Sequence, residues 1–278
     1  MPSWVKDFLT GGPIFALAQS LWDWFMALTR GFLGMGVNQY SQGTWNYISG
    51  TLYPWFLSMG SVLVNIFFLV GFCRQATNLK ENVTAEMWIE LFIKVVIANV
   101  LMQNGLTIMQ EFTGLAGKMS GEVLPNNLPG ILGNNYSLGL SLALVLLAPI
   151  YLILVIVCGV TILLEVMGRF LNLYLLMAVA PLALSTYAGG HGLENTAIAW
   201  FKSFLTNTFQ VVAIALILRV SQSMIVSNVL TMALNNWGSI SGWFAGAGEL
   251  FWSMIYMPFM AISVKASDNF LKRTFDLR

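Results

Sequence analysis

Three cations stand inside stretches that are otherwise almost wholly apolar: Lys94, Lys202 and Arg219. An ionisable group at the centre of a membrane helix costs about 2.5–3.5 kcal/mol on insertion scales, so each one needs a partner or a wet path. Glu90 precedes Lys94 by one helical turn, the better order for an ion pair within a single helix. Either the pair neutralises itself near the interface, or Lys94 faces an aqueous path. Glu165 and Arg169 repeat the arrangement between two apolar stretches, which predicts an anchoring pin at headgroup level. Further on, Ser203, Thr206, Asn207, Gln210 and Ala213 recur at helical spacing and form one small, polar stripe. Such a stripe hydrogen-bonds to neighbouring helices or lines a wet lumen. Lys94, Ser203, Asn207 and Gln210 are therefore the candidate channel-lining residues.

The usual constellations of enzymes are missing from the sequence. It holds no glycine-rich phosphate loop ending in Lys-Ser or Lys-Thr, no His-Glu-x-x-His and no Gly-x-Ser-x-Gly. The candidate spans carry no Asp between Asp23 and Asp268, which argues against intramembrane proteolysis by an aspartate pair. His191, the one histidine, sits among glycines without neighbouring cysteines or clustered carboxylates, so it predicts no metal site. Cys73 and Cys158 both lie in apolar runs and suit lipid-facing or packing positions rather than a disulfide framework. The reading is of a protein that is not an enzyme and needs no cofactor.

Composition supplies the setting. Of 278 residues, 57% are apolar and 9% charged, against roughly 25% charged in soluble domains. With 19 Phe, 10 Trp and 15 Met the chain carries more apolar surface than a soluble particle of its size can hide. Net charge is +1, so the electrostatic footprint of a conventional nucleic-acid-binding domain is missing. The N-terminus lacks a basic segment followed by a clean apolar run and a cleavage site, and no removable signal peptide is expected.

A membrane helix needs about 20 mostly apolar residues. Six stretches qualify: Tyr53–Cys73, Trp88–Gln110, Leu138–Val166, Phe170–Ala188, Ile198–Met224 and Ala245–Val264. The charge-free run Leu138–Leu164 would measure about 40 Å as helix and must tilt, kink or protrude, with Pro149 the natural kink. Ala245–Val264 contains Glu249, Pro258 and several glycine and serine breaks, and so is either a crossing or a re-entrant segment. Ahead of these, Pro13–Gly36 places Gln19, Asp23 and Arg30 near one face and reads as an amphipathic interfacial helix. The segment Leu124–Tyr136, rich in Pro, Gly and Asn, reads as a loop. Trp45, Trp55, Trp88, Trp200, Trp237 and Trp243 flank candidate spans as an aromatic belt would. Five and six crossings account equally well for the basic residues, and both put the C-terminal tail in the cytoplasm. The expected fold is all-α, a polytopic membrane protein of five or six transmembrane helices. Its parts are an amphipathic region at 1–50, a helical membrane domain at 51–266 and a cytoplasmic tail at 267–278.

The run RFLNLYLLMAVAPLALSTYAG from Arg169 to Gly189, followed by a polar loop and AWFKSFLTNTFQVVAIALIL, resembles the TrbL-type polytopic channel subunit of type IV secretion and conjugation machines, in the form found in conjugative elements of Gram-positive bacteria. The likeness covers about Leu138–Arg278 and includes the tail from Val264 to Lys272; it is weak before Asn135. Arg169, Pro181 and Lys202 occupy its motif positions, and Glu165 stands one turn before the first of them. The resemblance implies a homo-oligomeric channel in the cell membrane that passes single-stranded DNA bound to a relaxase. It implies contact with other membrane components of the machine, and energy from partner ATPases. The long extracytoplasmic loop of some relatives is shortened here to about Glu111–Tyr136. Two other classes remain open at this point: a small-solute transporter with a charged site around Lys94, Lys202 or Arg219, and a membrane scaffold for a larger complex.

Overall fold

The computed structural model describes residues 12–77, 85–124, 141–190, 192–226 and 247–275, and all regular structure among them is helical. In chain order these are α1 (Gly12–Gly34), a single turn at Val37–Tyr40, α2 (Gln42–Tyr47), a π turn at Ile48–Leu52, α3 (Tyr53–Thr77), α4 (Ala85–Val123), α5 (Ser141–Ser185), a 3-10 turn at Thr186–Gly189, α6 (Glu194–Val226) and α7 (Ala247–Thr274). The expected loop from 125 onward, His191, Trp237, Trp243 and the start of the last apolar stretch lie outside the described residues.

Among the described residues, four helical stretches are long and apolar enough to cross a membrane: Gln42–Arg74, Trp88–Val123, Leu147–Gly189 and Glu194–Ser221. Large apolar side chains such as Val62, Leu69, Phe92, Val100, Ile153 and Leu171 are exposed along them. Water would not tolerate that surface, whereas a bilayer covers it. This is the make-up of a multi-pass, all-α membrane protein.

One expectation is corrected. The expected spans Leu138–Val166 and Phe170–Ala188 are not separated at Arg169: one helix, α5 (Ser141–Ser185, 45 residues), runs through that position. The physical reason is visible in its burial. Tyr151, Val155, Cys158, Ile162, Val166, Phe170, Leu173, Met177, Ala180 and Leu184 are all buried, at intervals of three and four. That stripe passes the Glu165–Arg169 segment without losing phase, and Gly168 alone costs only about 1 kcal/mol of helix propensity. The helix also runs through Pro149.

The contacts divide the chain into two compact units, each assembled from three segments. The first comprises 1–34, 119–167 and 212–267. Here α1 buries Phe15, Ala18, Trp22, Phe25, Met26 and Leu33, the apolar stripe of an amphipathic helix. Phe15 meets the edge of Tyr151 at 5.4 Å between ring centroids. Phe25 fills the space a side chain would need at Gly159, where an added Cβ would stand 2.5 Å from the ring. The Ser120 hydroxyl donates to the Leu33 carbonyl at 2.8 Å, satisfying one of the acceptors left open at the end of α1.

The second unit comprises 35–118, 168–211 and 268–278. Its entry is shaped by Pro54, which has no N–H and whose ring crowds the carbonyl one turn back. The wider π turn at Ile48–Leu52 precedes it, and the Tyr53 N–H reaches the Ile48 carbonyl. From there α3 packs closely through glycines. A Cβ on Gly60 would stand 2.9 Å from the Pro181 carbonyl oxygen, and one on Gly71 would collide with the Gly189 carbonyl. Tyr53 donates to the Met102 carbonyl at 2.6 Å, and Tyr174 to that of Val37 at 2.7 Å.

If these approaches hold the second unit together, Gly60→Ala and Gly71→Ala each destabilise the protein by about 1–3 kcal/mol through overpacking against backbone. Gly114→Ala, where nothing lies within 4 Å, is neutral or slightly stabilising. Thermal unfolding of the three variants in one detergent makes the comparison, and equal midpoints would remove the glycines from the account.

Candidate functional site

Lys94 lies on α4 and is shared by two carboxylates. Its Nζ is 2.9 Å from Glu90, one turn earlier on the same helix, and 3.0 Å from Glu194 on α6. The pairing with Glu90 follows the sequence expectation. Glu194 is the addition: it is the first residue of α6, where a negative charge also faces the positive end of the helix dipole. The chain arrives there by a turn only glycine makes comfortably, with Gly190 at φ 51° and Gly192 at φ 91°. The Leu193 N–H closes the turn on the Gly190 carbonyl at 3.0 Å, and the Gly190 Cα faces the Lys94 ammonium. The Lys94 side chain is 16% exposed and that of Glu90 59%, so the ammonium is withdrawn while one carboxylate stays at the surface.

The polar stripe of α6 divides. Thr206, Asn207 and Gln210 are buried, whereas Ser203 is half-buried. Thr206 donates to the Lys202 carbonyl and Asn207 to the Ser203 carbonyl, each at 2.9 Å, so much of the stripe bonds back along its own helix. Ser203 and Asn207 nevertheless line a groove of about 320 Å³ with Asn172, Leu175, Leu176 and Val179 of α5. Sequence reasoning missed Asn172. Its signal was the spacing from Leu175, Leu176 and Val179, which puts an amide on an apolar helix face. Gln210 is not among the groove's lining residues, and Lys202 is half-buried with no ion pair among the described residues.

The expected Glu165–Arg169 pair does not form: Arg169 takes part in no ion pair among the described residues. It is 4% exposed, its Nε has no hydrogen-bond partner, and its guanidinium lies 4.5 Å from the centroid of the Phe170 ring. Phe170 in turn stacks on Tyr40 at 4.1 Å with the rings 5° from parallel. Aromatic rings replace the carboxylate, an arrangement worth about 2 kcal/mol when desolvated. Pro181 presents its carbonyl to Gly60, and the buried Trp200 indole donates to the Leu176 carbonyl at 3.1 Å. The one further ion pair among the described residues, Lys272 with Asp268 at 2.6 Å, lies on α7. Comparison with protein-family models, with curated proteins and with solved structures gives no match.

Because Lys94 is withdrawn between helices, its two partners are not equivalent. Glu194→Gln leaves the withdrawn ammonium only the exposed Glu90 carboxylate and costs about 1–2 kcal/mol, while Glu90→Gln costs about 0.5 kcal/mol or less. The double variant Lys94→Met with Glu194→Gln recovers most of the loss. Equilibrium unfolding in mixed micelles reads all three, and indistinguishable single variants would show that the tie between α4 and α6 carries no weight.

Proposed function

We propose that the chain is a channel subunit of a conjugative type IV secretion system, homo-oligomeric in the cell membrane, helping single-stranded DNA with its bound relaxase to cross. The reading rests on the resemblance of Arg169–Gly189 and of the segment opening at Trp200–Lys202. The observation that carries it furthest is the groove of Asn172, Ser203 and Asn207 on an otherwise apolar exterior. Amides and a hydroxyl facing hydrocarbon are costly unless another polar surface covers them. A second copy set against this groove would enclose a weakly polar passage between subunits. A polyanion can leave such a lining, whereas a ring of cations would hold it. Partner ATPases and other membrane components of the machine supply energy and gating.

In this reading α3 to α7 give five crossings, and a sixth requires α1 to cross as well. The tail with Lys265, Lys272 and Arg273 lies in the cytoplasm, as the distribution of basic residues favours. A small-solute transporter built around Lys94 has less support, because two carboxylates already occupy that ammonium. A scaffold would need no polar groove at all.

Deletion of the gene is expected to abolish DNA transfer while leaving relaxase nicking intact. Photo-crosslinkers placed at Ser203 and Asn207 are expected to capture the transferring strand, with Leu69 as the lipid-facing control. Normal transfer without the protein overturns the assignment. Adducts absent from both groove positions in a transferring cell leave only a scaffold.

A further inference from the structure

A second polar stretch interrupts the apolar exterior, on α4. One arc of that helix, about 100° wide at 3.6 residues per turn, carries exposed side chains along most of the span Trp88–Val123. It begins with Ile89, Ile93, Val96 and Val100. Beyond Val100 the same arc changes character: Gln103, Asn104, Thr107, Glu111 and Lys118 follow, all exposed. The exposed Ile108 and Leu115 lie to one side of them. Asn104 donates to the Val100 carbonyl at 3.0 Å. Glu111 and Lys118 enter no ion pair among the described residues, and the Gln103 amide and Thr107 hydroxyl bond to none of those residues.

Depth turns this pattern into a constraint. The uncharged stretch of α4 from Val95 to Gln110 measures about 24 Å, less than the roughly 30 Å of the hydrocarbon layer. With the layer centred on that stretch, Gln103 and Asn104 stand near its middle and Glu111 at its edge. If the layer begins at Trp88 instead, both amides remain about 6 Å or more inside the opposite edge. Tilt carries them deeper. Amides left against lipid tails at that level are costly, so something other than lipid covers the face.

A second copy is a poor cover. Copies inserted in the same sense, and related by an axis along the membrane normal, keep each residue at one depth. A dry seam on this face would then set Glu111 against Glu111 and Lys118 against Lys118 in a medium of low dielectric. Water meets all five side chains without that repulsion. The charged residues lie at the Lys118 end of the face, where water would enter, and the uncharged amides lie deepest.

We propose that the Gln103–Lys118 face of α4 borders a water-filled vestibule, open at the Lys118 end and reaching the middle of the membrane at Gln103 and Asn104. It stops where Val100 returns the arc to hydrocarbon. Its contents are water and the small hydrated solutes that share it. The vestibule is independent of the groove of Asn172, Ser203 and Asn207, and it stands whether or not DNA passes there.

The test places single cysteines at Val96, Val100, Gln103, Thr107 and Glu111 of the full chain in membrane vesicles. A charged methanethiosulfonate reagent is supplied on both sides, and adducts are assigned peptide by peptide so that Cys73 and Cys158 stay in place. The reagent attacks thiolates, which form in water and not among lipid tails. Gln103→Cys, Thr107→Cys and Glu111→Cys are expected to react about tenfold faster, or more, than Val96→Cys and Val100→Cys on the same arc. Equal rates at all five positions overturn the vestibule. Fast Glu111→Cys with Gln103→Cys as slow as Val100→Cys overturns it too, because water then stops at the membrane edge. A disulfide joining two copies through Gln103→Cys marks a protein seam and has the same force. Hydroxyl-radical footprinting of the unaltered protein needs no variant to fold: oxidation is expected to be denser on Gln103–Glu111 than on Ile89–Val100, and equal or reversed density overturns the proposal.

Discussion

A polar side chain carried into hydrocarbon must bring its hydrogen-bond acceptor with it, and in this protein the acceptor is most often the carbonyl one turn back. Ser58, Ser61 and Asn65 on α3, Asn99 and Asn104 on α4, Thr161 on α5, and Thr206 and Asn207 on α6 all donate along their own helices. Each helix thereby becomes nearly self-sufficient before it meets another, which is the condition for insertion into a bilayer. Little side-chain polarity is then left over to join helices. Joining falls to a few long-reaching donors that find a neighbour's backbone: Tyr53 on Met102, Tyr174 on Val37, Ser120 on Leu33 and Trp200 on Leu176.

The exceptions to self-sufficiency mark the places where chemistry concentrates. Lys94 has no carbonyl that can neutralise it and draws a carboxylate from each of two helices. Arg169 forms no ion pair among the described residues and lies against the Phe170 ring, itself stacked on Tyr40. Asn172 stands on a groove with Ser203 and Asn207 rather than turning into the helix interior. These three solutions to one problem are a shared charge, an aromatic cover and an open polar seam. Of the three, the last leaves an exposed amide, that of Asn172, at the protein surface.

Periodicity made the helices legible. The apolar stripe of α1, the pairing of Glu90 with Lys94 and the polar run of α6 all depend on residues within a turn or two of one another, which sequence spacing encodes directly. What spacing cannot encode is the partner brought from far along the chain. Glu194 lies a hundred positions from Lys94, and nothing local distinguishes it from any acid at the start of a helix. Gly60 and Gly71 look like ordinary weak points of an apolar helix until the carbonyls of Pro181 and Gly189 are seen against them. The continuity of α5 was misread because a charged pair between apolar runs resembles a boundary. The buried stripe keeps its phase through that pair, and phase is the stronger signal.

That same helix has a consequence for whatever surrounds it. Its 45 residues amount to about 67 Å measured along the helix, more than twice the thickness of a bilayer's hydrocarbon layer. A straight helix of that length would have to lean by about 60° to lie wholly within the layer, beyond the range that bilayer helices adopt. On a straight course, some of its length would stand outside the lipid. Ile150, Ile153 and Val157 near one end and Leu171 and Leu175 towards the other are all bare. Whichever end emerges needs a sheath of protein to keep it from water, and the surplus length is thus a demand for company built into the backbone itself.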